Sequence, residues 1–191
     1  MTTTRLEAFS DGVVAILITI MVLELRPPHE ATLEGLRPLI PVLMSYLLSF
    51  VFLGIYWTNH HHLIHAAEHV NGRVLWANLH LLFWLSLIPF ATAWMGENHF
   101  SQWPVALYGM ILFLDAIAYT LLVRALLTLH GPNSLLANAL GSDFKGKISI
   151  VVYVVAIPLA FVRPWLACAF YILVAVMWLV PDRRIERKIG N

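Results

Sequence analysis

Long apolar runs, separated by connections too short to hold a water-soluble domain, govern what this chain can become. The first runs from Phe9 to Leu25, broken only by Ser10, Asp11, Gly12, Thr19 and Glu24. The second goes from Leu39 to Trp57, entered through Pro38 and Pro41, and continues into Asn59 and a histidine cluster. The third spans Val74 to Met95, with a kink expected at Pro89, which cannot donate to the preceding turn. The fourth extends from Val105 to about Leu129, behind a Pro104 that a first helical turn accepts. A last block, Ile148 to Val180, is too long for one span and is cut by Arg163-Pro164, so it reads as two short helices. Six spans of ~20 residues would take ~120 positions. With 60% of 191 residues hydrophobic and 12% charged, the composition matches that demand. The expectation is an all-α polytopic membrane protein, a single six-helix unit over residues 1–191.

These numbers exclude a soluble enzyme, a disordered tail and, with Cys168 alone, a disulfide scaffold. A net charge of +1 gives no case for nucleic acid. Thr4-Arg5-Leu6-Glu7 reads as a capping box, which starts the first helix near Thr4 and lets it run to Pro27-Pro28. With one Arg, acids at Glu7 and Asp11 and no small-residue cleavage site, this segment is a poor signal peptide.

Orientation follows from the cations. With the N- and C-termini cytoplasmic, the inside carries Arg5, Arg73, Arg124, Lys145, Lys147, Arg183, Arg184, Arg187 and Lys188, the outside Arg26, Arg37 and Arg163. Nine against three is a positive-inside bias that five spans would spoil. The expected location is the inner membrane of the cell. Trp57, Trp76, Trp94, Trp103, Trp165 and Trp178 fall at span ends, as an aromatic belt requires.

Ionisable residues inside a span are costly, so Asp11, Glu24, His80 and Asp115 call for an explanation. Glu24 reads as a solvated mouth residue. Asp115 either packs against a neighbouring helix, near His80, or touches a water path, and packing is favoured. On a wheel of ~100° per residue with Ile16 at zero, Arg5, Phe9, Gly12, Thr19, Ile20 and Leu23 all fall within about 60°. Asp11 lies about 140° away. If the Ile16 stripe faces a pore, Asp11 points into protein. An apolar face on a membrane helix is more often lipid contact or core, so periodicity alone does not make a pore.

The segment Asn59-His60-His61-His62-x-x-His65-x-x-x-His69 offers imidazoles at helical spacing. A metal site would need a further ligand, for which His130 and Asp143 are the offers, and interfacial polar residues are the favoured reading. No metal or other cofactor is expected. Phosphate loops, nucleophile elbows and zinc-protease motifs are lacking, so no enzyme is expected. Ser45-x-x-x-Ser49 with Gly54 gives the second helix a small-residue face, and Cys168 reads as a small hydrophobe. A T-V-G-Y-G filter is missing, which excludes a carbonyl-lined potassium pore.

Arg5-x-x-x-Phe9-Ser10-Asp11 resembles the R-x-x-x-F-S-D signature of the endosomal/lysosomal potassium channel family, the transmembrane protein 175 family. Tyr56-Trp57-x-x-His60-His61 and Asn78-Leu79…Phe83…Ser86-Leu87-Ile88-Pro89-Phe90 are further matches. The resemblance implies a homotetramer of six-helix chains whose central pore, lined by the first helix, passes K⁺ and, more weakly, other monovalent cations. It places an apolar constriction at Ile16, Ile20 and Leu23, and a pore-lining hydroxyl at Thr19. Glu24 then sits at the outer mouth, and selectivity for K⁺ over Na⁺ is modest. Arg5, Phe9, Ser10 and Asp11 become structural, with Asn59, His60, His61 or His80 as partners. Alternatives are a membrane metalloenzyme or metal carrier built on the His60–His69 cluster, and a proton-coupled carrier using Asp11, Asp115 and His80.

Overall fold

The computed structural model describes residues 3–132, 134, 136–137 and 144–179, and the described residues form helices and their connections with no strand. Helix α1 covers Thr3–Leu23, α2 is the short Leu33–Leu36, and a 3-10 turn at Arg37–Leu39 leads into α3, Ile40–His65. Then come α4 (Gly72–Leu85), α5 (Ile88–Glu97), α6 (Gln102–His130), α7 (Phe144–Val162) and α8 (Pro164–Leu179). Five stretches, with α2 to α3 and α4 to α5 each taken as one, are long and apolar enough to cross a membrane; α8 is a shorter apolar helix. The chain is an all-helical, multi-pass membrane protein. Asn133, Gly141, Ser142, Asp143 and the basic residues Arg183, Arg184, Arg187 and Lys188 lie outside the described residues.

Two boundaries differ from expectation. Helix α1 stops at Leu23, four residues before Pro27, so Glu24 lies just past its end. Pro89 marks a break instead of a kink: α4 ends at Leu85, and α5 begins at Ile88 with proline in its first turn. Ser86 Oγ donates to Phe83 O at 2.6 Å, satisfying a carbonyl at that break. The Arg163-Pro164 cut acts as read, with Arg163 the sole residue between α7 and α8.

Helix α6 is central, packing along α4, α5, α7 and α8, while α1 lies against α3, α4 and α5. Close packing rests on small residues. A Cβ on Gly96 would meet Val42 Cα of α3 at 2.8 Å, and one on Gly109 would collide with the Tyr171 hydroxyl. Ser45 and Ser49 are fully buried, but Gly54 faces open space, so the small-residue face expected on α3 ends at Ser49. Cys168 is buried among the apolar core.

The buried hydroxyls form a relay that fixes their directions. Thr92 donates to Ile88 O at 2.7 Å, so it accepts from Ser49 at 2.6 Å, and Ser49 accepts from Tyr108 at 2.9 Å. Three helices are thereby tied by groups that lipid could not satisfy. Helix α5 ends in a Schellman motif: Phe100 N donates to Met95 O and His99 N to Gly96 O. His99 takes the left-handed position at φ 49 that glycine usually fills, and Phe100 follows at φ 58. Phe100 compensates by stacking on Trp165 with centroids 4.8 Å apart.

Candidate functional site: the two faces of α1

The sequence of α1 sorts its side chains onto two opposed faces. Leu6, Ser10, Val14, Leu17 and Met21 are buried against the neighbouring helices, following the three- and four-residue steps of one helical stripe. Arg5, Phe9, Gly12, Ile16, Thr19, Ile20 and Leu23 are all exposed, Ile16 at 57% and Leu23 at 73%. The stripe found on the wheel is thus the face that this chain leaves uncovered. Glu24 is exposed just beyond its last turn.

Thr19 Oγ1 lies 2.9 Å from Ile16 O and 3.1 Å from Ala15 O, so its proton goes back to the backbone. Its lone pairs are left facing outward.

The opposite shoulder of α1 carries the polar cluster. Ser10 Oγ donates to Leu6 O at 2.9 Å and accepts from Asn78 Nδ2 at 3.0 Å. Asn78 Oδ1 lies 2.7 Å from His60 Nε2. An amide oxygen only accepts, so His60 donates through Nε2–H, and the whole chain of donors has one consistent direction. Asn78 and Ser10 are buried, as is His60. Asp11 Oδ1 accepts from Trp57 Nε1 at 3.0 Å, and Glu7 Oε1 sits 2.7 Å from His61 Nδ1. The cluster therefore ties α1 to α3 and α4 through three contacts within about one turn of α1, at Glu7, Ser10 and Asp11.

Of the expected motif partners, His60 reaches Ser10 through Asn78, and His61 meets Glu7 instead of a motif residue. Asn59 does not take part: its Nδ2 donates to Ile55 O of its own helix at 2.7 Å. Nor does His80, which is exposed and accepts from Trp84 Nε1 one turn later at 2.9 Å. The Arg5 side chain makes no hydrogen bond or ion pair among the described residues. Phe9 stands on the exposed stripe at 55%.

Sequence reasoning missed the partners of Trp57, assigned to the aromatic belt and a motif, and of Asn78, noted in a motif alone. Glu7 was missed too, although it stands one helical turn from Asp11 on the same side of α1.

The remaining histidines do not converge. His61 and His65 stack at 5.8 Å, whereas His69 lies against His130, whose Nε2 accepts from Glu68 N at 3.2 Å. Among the described residues no group of three His, Cys, Asp or Glu side chains could hold a metal ion. Asp115 is fully buried but does not pair with His80; both of its carboxylate oxygens lack a hydrogen-bond partner.

The model of the endosomal/lysosomal potassium channel TMEM175 matches residues 5–89, which hold the first two motifs, the third up to Pro89, and both faces of α1. A potassium channel of a Chryseobacterium species is 54% identical over 189 residues, covering 99% of this chain and 98% of that one. The chain belongs to the TMEM175 family. The crystal structure of a lysosomal potassium-selective channel TMEM175 homolog from Chamaesiphon minutus superposes with a TM-score of 0.80 at 28% identity, covering 93% of this chain and 96% of the other. An endosomal/lysosomal proton channel of Danio rerio is 25% identical over 132 residues, 66% of this chain and 24% of the longer relative. TMEM175 relatives are channels, which sets aside the metalloenzyme reading of the histidine segment.

Proposed function

We propose that this TMEM175 chain is one of four identical subunits of a potassium-permeable cation channel, with α1 lining the pore on the four-fold axis. One observation carries the reading: the stripe through Ile16, Thr19, Ile20 and Leu23 stays exposed while the face through Leu6, Ser10, Val14, Leu17 and Met21 is packed against the neighbouring helices. A lipid-facing stripe has no use for Gly12, an outward Thr19 hydroxyl and an Arg5 on one line. A lumen does.

In this arrangement Ile16, Ile20 and Leu23 form stacked apolar rings. Such rings offer no ligand, so an ion passes with part of its water shell, and a narrow collar gates by dewetting. K⁺ holds its water less tightly than Na⁺ and crosses more cheaply, which makes selectivity real but modest. The four Thr19 oxygens replace some of the lost water. Glu24 raises the local cation concentration at the outer mouth. The Ser10, Asp11 and Glu7 contacts hold α1 against α3 and α4 so that the stripe keeps its aim. The termini are cytoplasmic in this reading, in a bacterial inner membrane, supported by the cation asymmetry of the connections.

Purified protein in potassium-loaded liposomes tests it. K⁺ should leak, and Ile16→Asn should raise the flux while lowering K⁺/Na⁺ discrimination. Vesicles as tight as empty ones, for both proteins, would end the channel reading.

A further inference from the structure

His80 and Asp11 each leave one polar atom unmet. His80 Nε2 accepts from Trp84 Nε1, so the ring proton is on Nδ1, where no described residue meets it. Asp11 takes the Trp57 indole on Oδ1, and its Oδ2 has no partner among the described residues. A donor that a membrane span turns outward finds no acceptor in lipid, and its lost water is not replaced. His80 is exposed within such a span, Gly72–Glu97.

The two atoms stand at one level on opposite flanks of the chain. Helices α1 and α4–α5 run side by side in one direction: Asn78 bonds Ser10 near their starts, and Thr92 Oγ1 lies 3.8 Å from Met21 Sδ near their ends. Asp11 is eight residues past Thr3 and His80 eight past Gly72, so each sits ~12 Å along its helix. Asn78 faces Ser10 and His60, and His80 is ~200° further round α4, which turns it away from α1 and α3. Asp11 looks the other way, toward Trp57 of α3. Uncovered apolar side chains continue each flank, Leu79 and Phe83 on α4, Phe50 and Trp57 on α3.

We propose that His80 of each subunit donates Nδ1–H to Asp11 Oδ2 of the next, so that the α4 flank of one copy docks on the α1–α3 edge of its neighbour. A donor on one flank and an acceptor on the other make a head-to-tail contact, which closes into a ring when the rotation returns the last copy to the first. This pairing rests on the four-subunit reading and adds to it which faces meet and through which bond. A second copy suits the His80 flank because it brings the missing acceptor at the same depth, within apolar surface of the same kind.

Cross-linking in native membranes tests the faces. Ala15 and Phe83 are exposed one turn beyond Asp11 and His80, so cysteines there leave the bonded pair intact. Chains of two tag lengths, one with Ala15→Cys and the other with Phe83→Cys, are co-expressed and treated with a short bis-methanethiosulfonate. A mixed dimer is expected on a denaturing gel, with the buried Cys168 silent. A native mass of four chains without the mixed dimer would overturn the pairing and leave the four-subunit reading standing; a native mass of one chain would overturn both. His80→Leu tests the bond without any cysteine. It should cut the fraction of intact tetramer in detergent severalfold, and should cut it no further in an Asp11→Ala background. A tetramer that His80→Leu leaves as robust as the parent would overturn the bond, as would a loss just as large when the Asp11 carboxylate is gone.

Discussion

Trp57 donates its indole N–H to Asp11 across 3.0 Å, joining residues 46 positions apart. This bond spans α1 and α3 at the end of α1 that also holds the Glu7–His61 and Ser10–Asn78 contacts. A hydrogen bond to a charged group contributes about 1.5–3 kcal/mol at best. Trp57 is half exposed, which places this one at the lower end. A double-mutant cycle with Trp57→Phe and Asp11→Asn should therefore show about 1 kcal/mol of coupling in denaturant unfolding. Strictly additive losses would mean the bond does not stabilise the fold.

Asn78 is the more sensitive member of the cluster. Asn78→Leu keeps the volume but strands the His60 Nε2–H and leaves Ser10 with one partner. Each orphaned buried group costs about 1–3 kcal/mol, so the loss should exceed that of Trp57→Phe. Thermal unfolding in detergent compares the two, and a milder effect at Asn78 contradicts the buried chain.

Thr19 and Val22 are both exposed on α1 but point to different sides of it. Thr19→Val removes the outward oxygen without changing shape, and K⁺ flux should fall severalfold. Val22→Thr adds a hydroxyl off the stripe and should leave flux as it was. Equal responses from the two positions would remove the special role of the stripe.

Glu24 acts by charge through water in the proposed mouth. Glu24→Gln should reduce flux at low ionic strength, where the Debye length is ~30 Å at 0.01 M, and the deficit should close near 1 M, where it is ~3 Å. A deficit that persists at high salt would assign Glu24 a direct contact with the ion or with protein.

Gly109 lets Tyr171 lie across α6 and donate to Val105 O at 3.2 Å. Gly109→Ala forces that ring aside, and overpacking of this kind costs about 1–3 kcal/mol. Pairing it with Tyr171→Phe, which removes the colliding oxygen, should recover part of the loss; no recovery would place the strain elsewhere.

What could be read from the sequence divides by range. The two faces of α1 were legible because Ile16, Ile20 and Leu23 repeat with the helix, and that repeat needs no knowledge of neighbours. The Arg163-Pro164 cut was legible for the same local reason. Partners were not. Asp11 and Trp57 meet only because α1 and α3 cross at one place, and Trp57 also suited a belt position. His80 was drawn off by a rival at local distance, Trp84, which outcompetes any partner on another helix of the same chain. Pro89 announced a disturbance, but whether the helix bends or restarts depends on Ser86 capping the carbonyl of Phe83. The metal reading of the histidines assumed that rings on one helix act together, whereas tertiary contacts send His60, His61 and His69 to three separate partners.

The exposed stripe of α1 has a consequence for how activity should scale. If four chains enclose the pore as proposed, one chain holds a wall and no passage, and the conducting unit exists only as long as its copies stay together. Diluting the protein in lipid should therefore extinguish current more steeply than it removes folded helices, with assembly itself behaving as the switch.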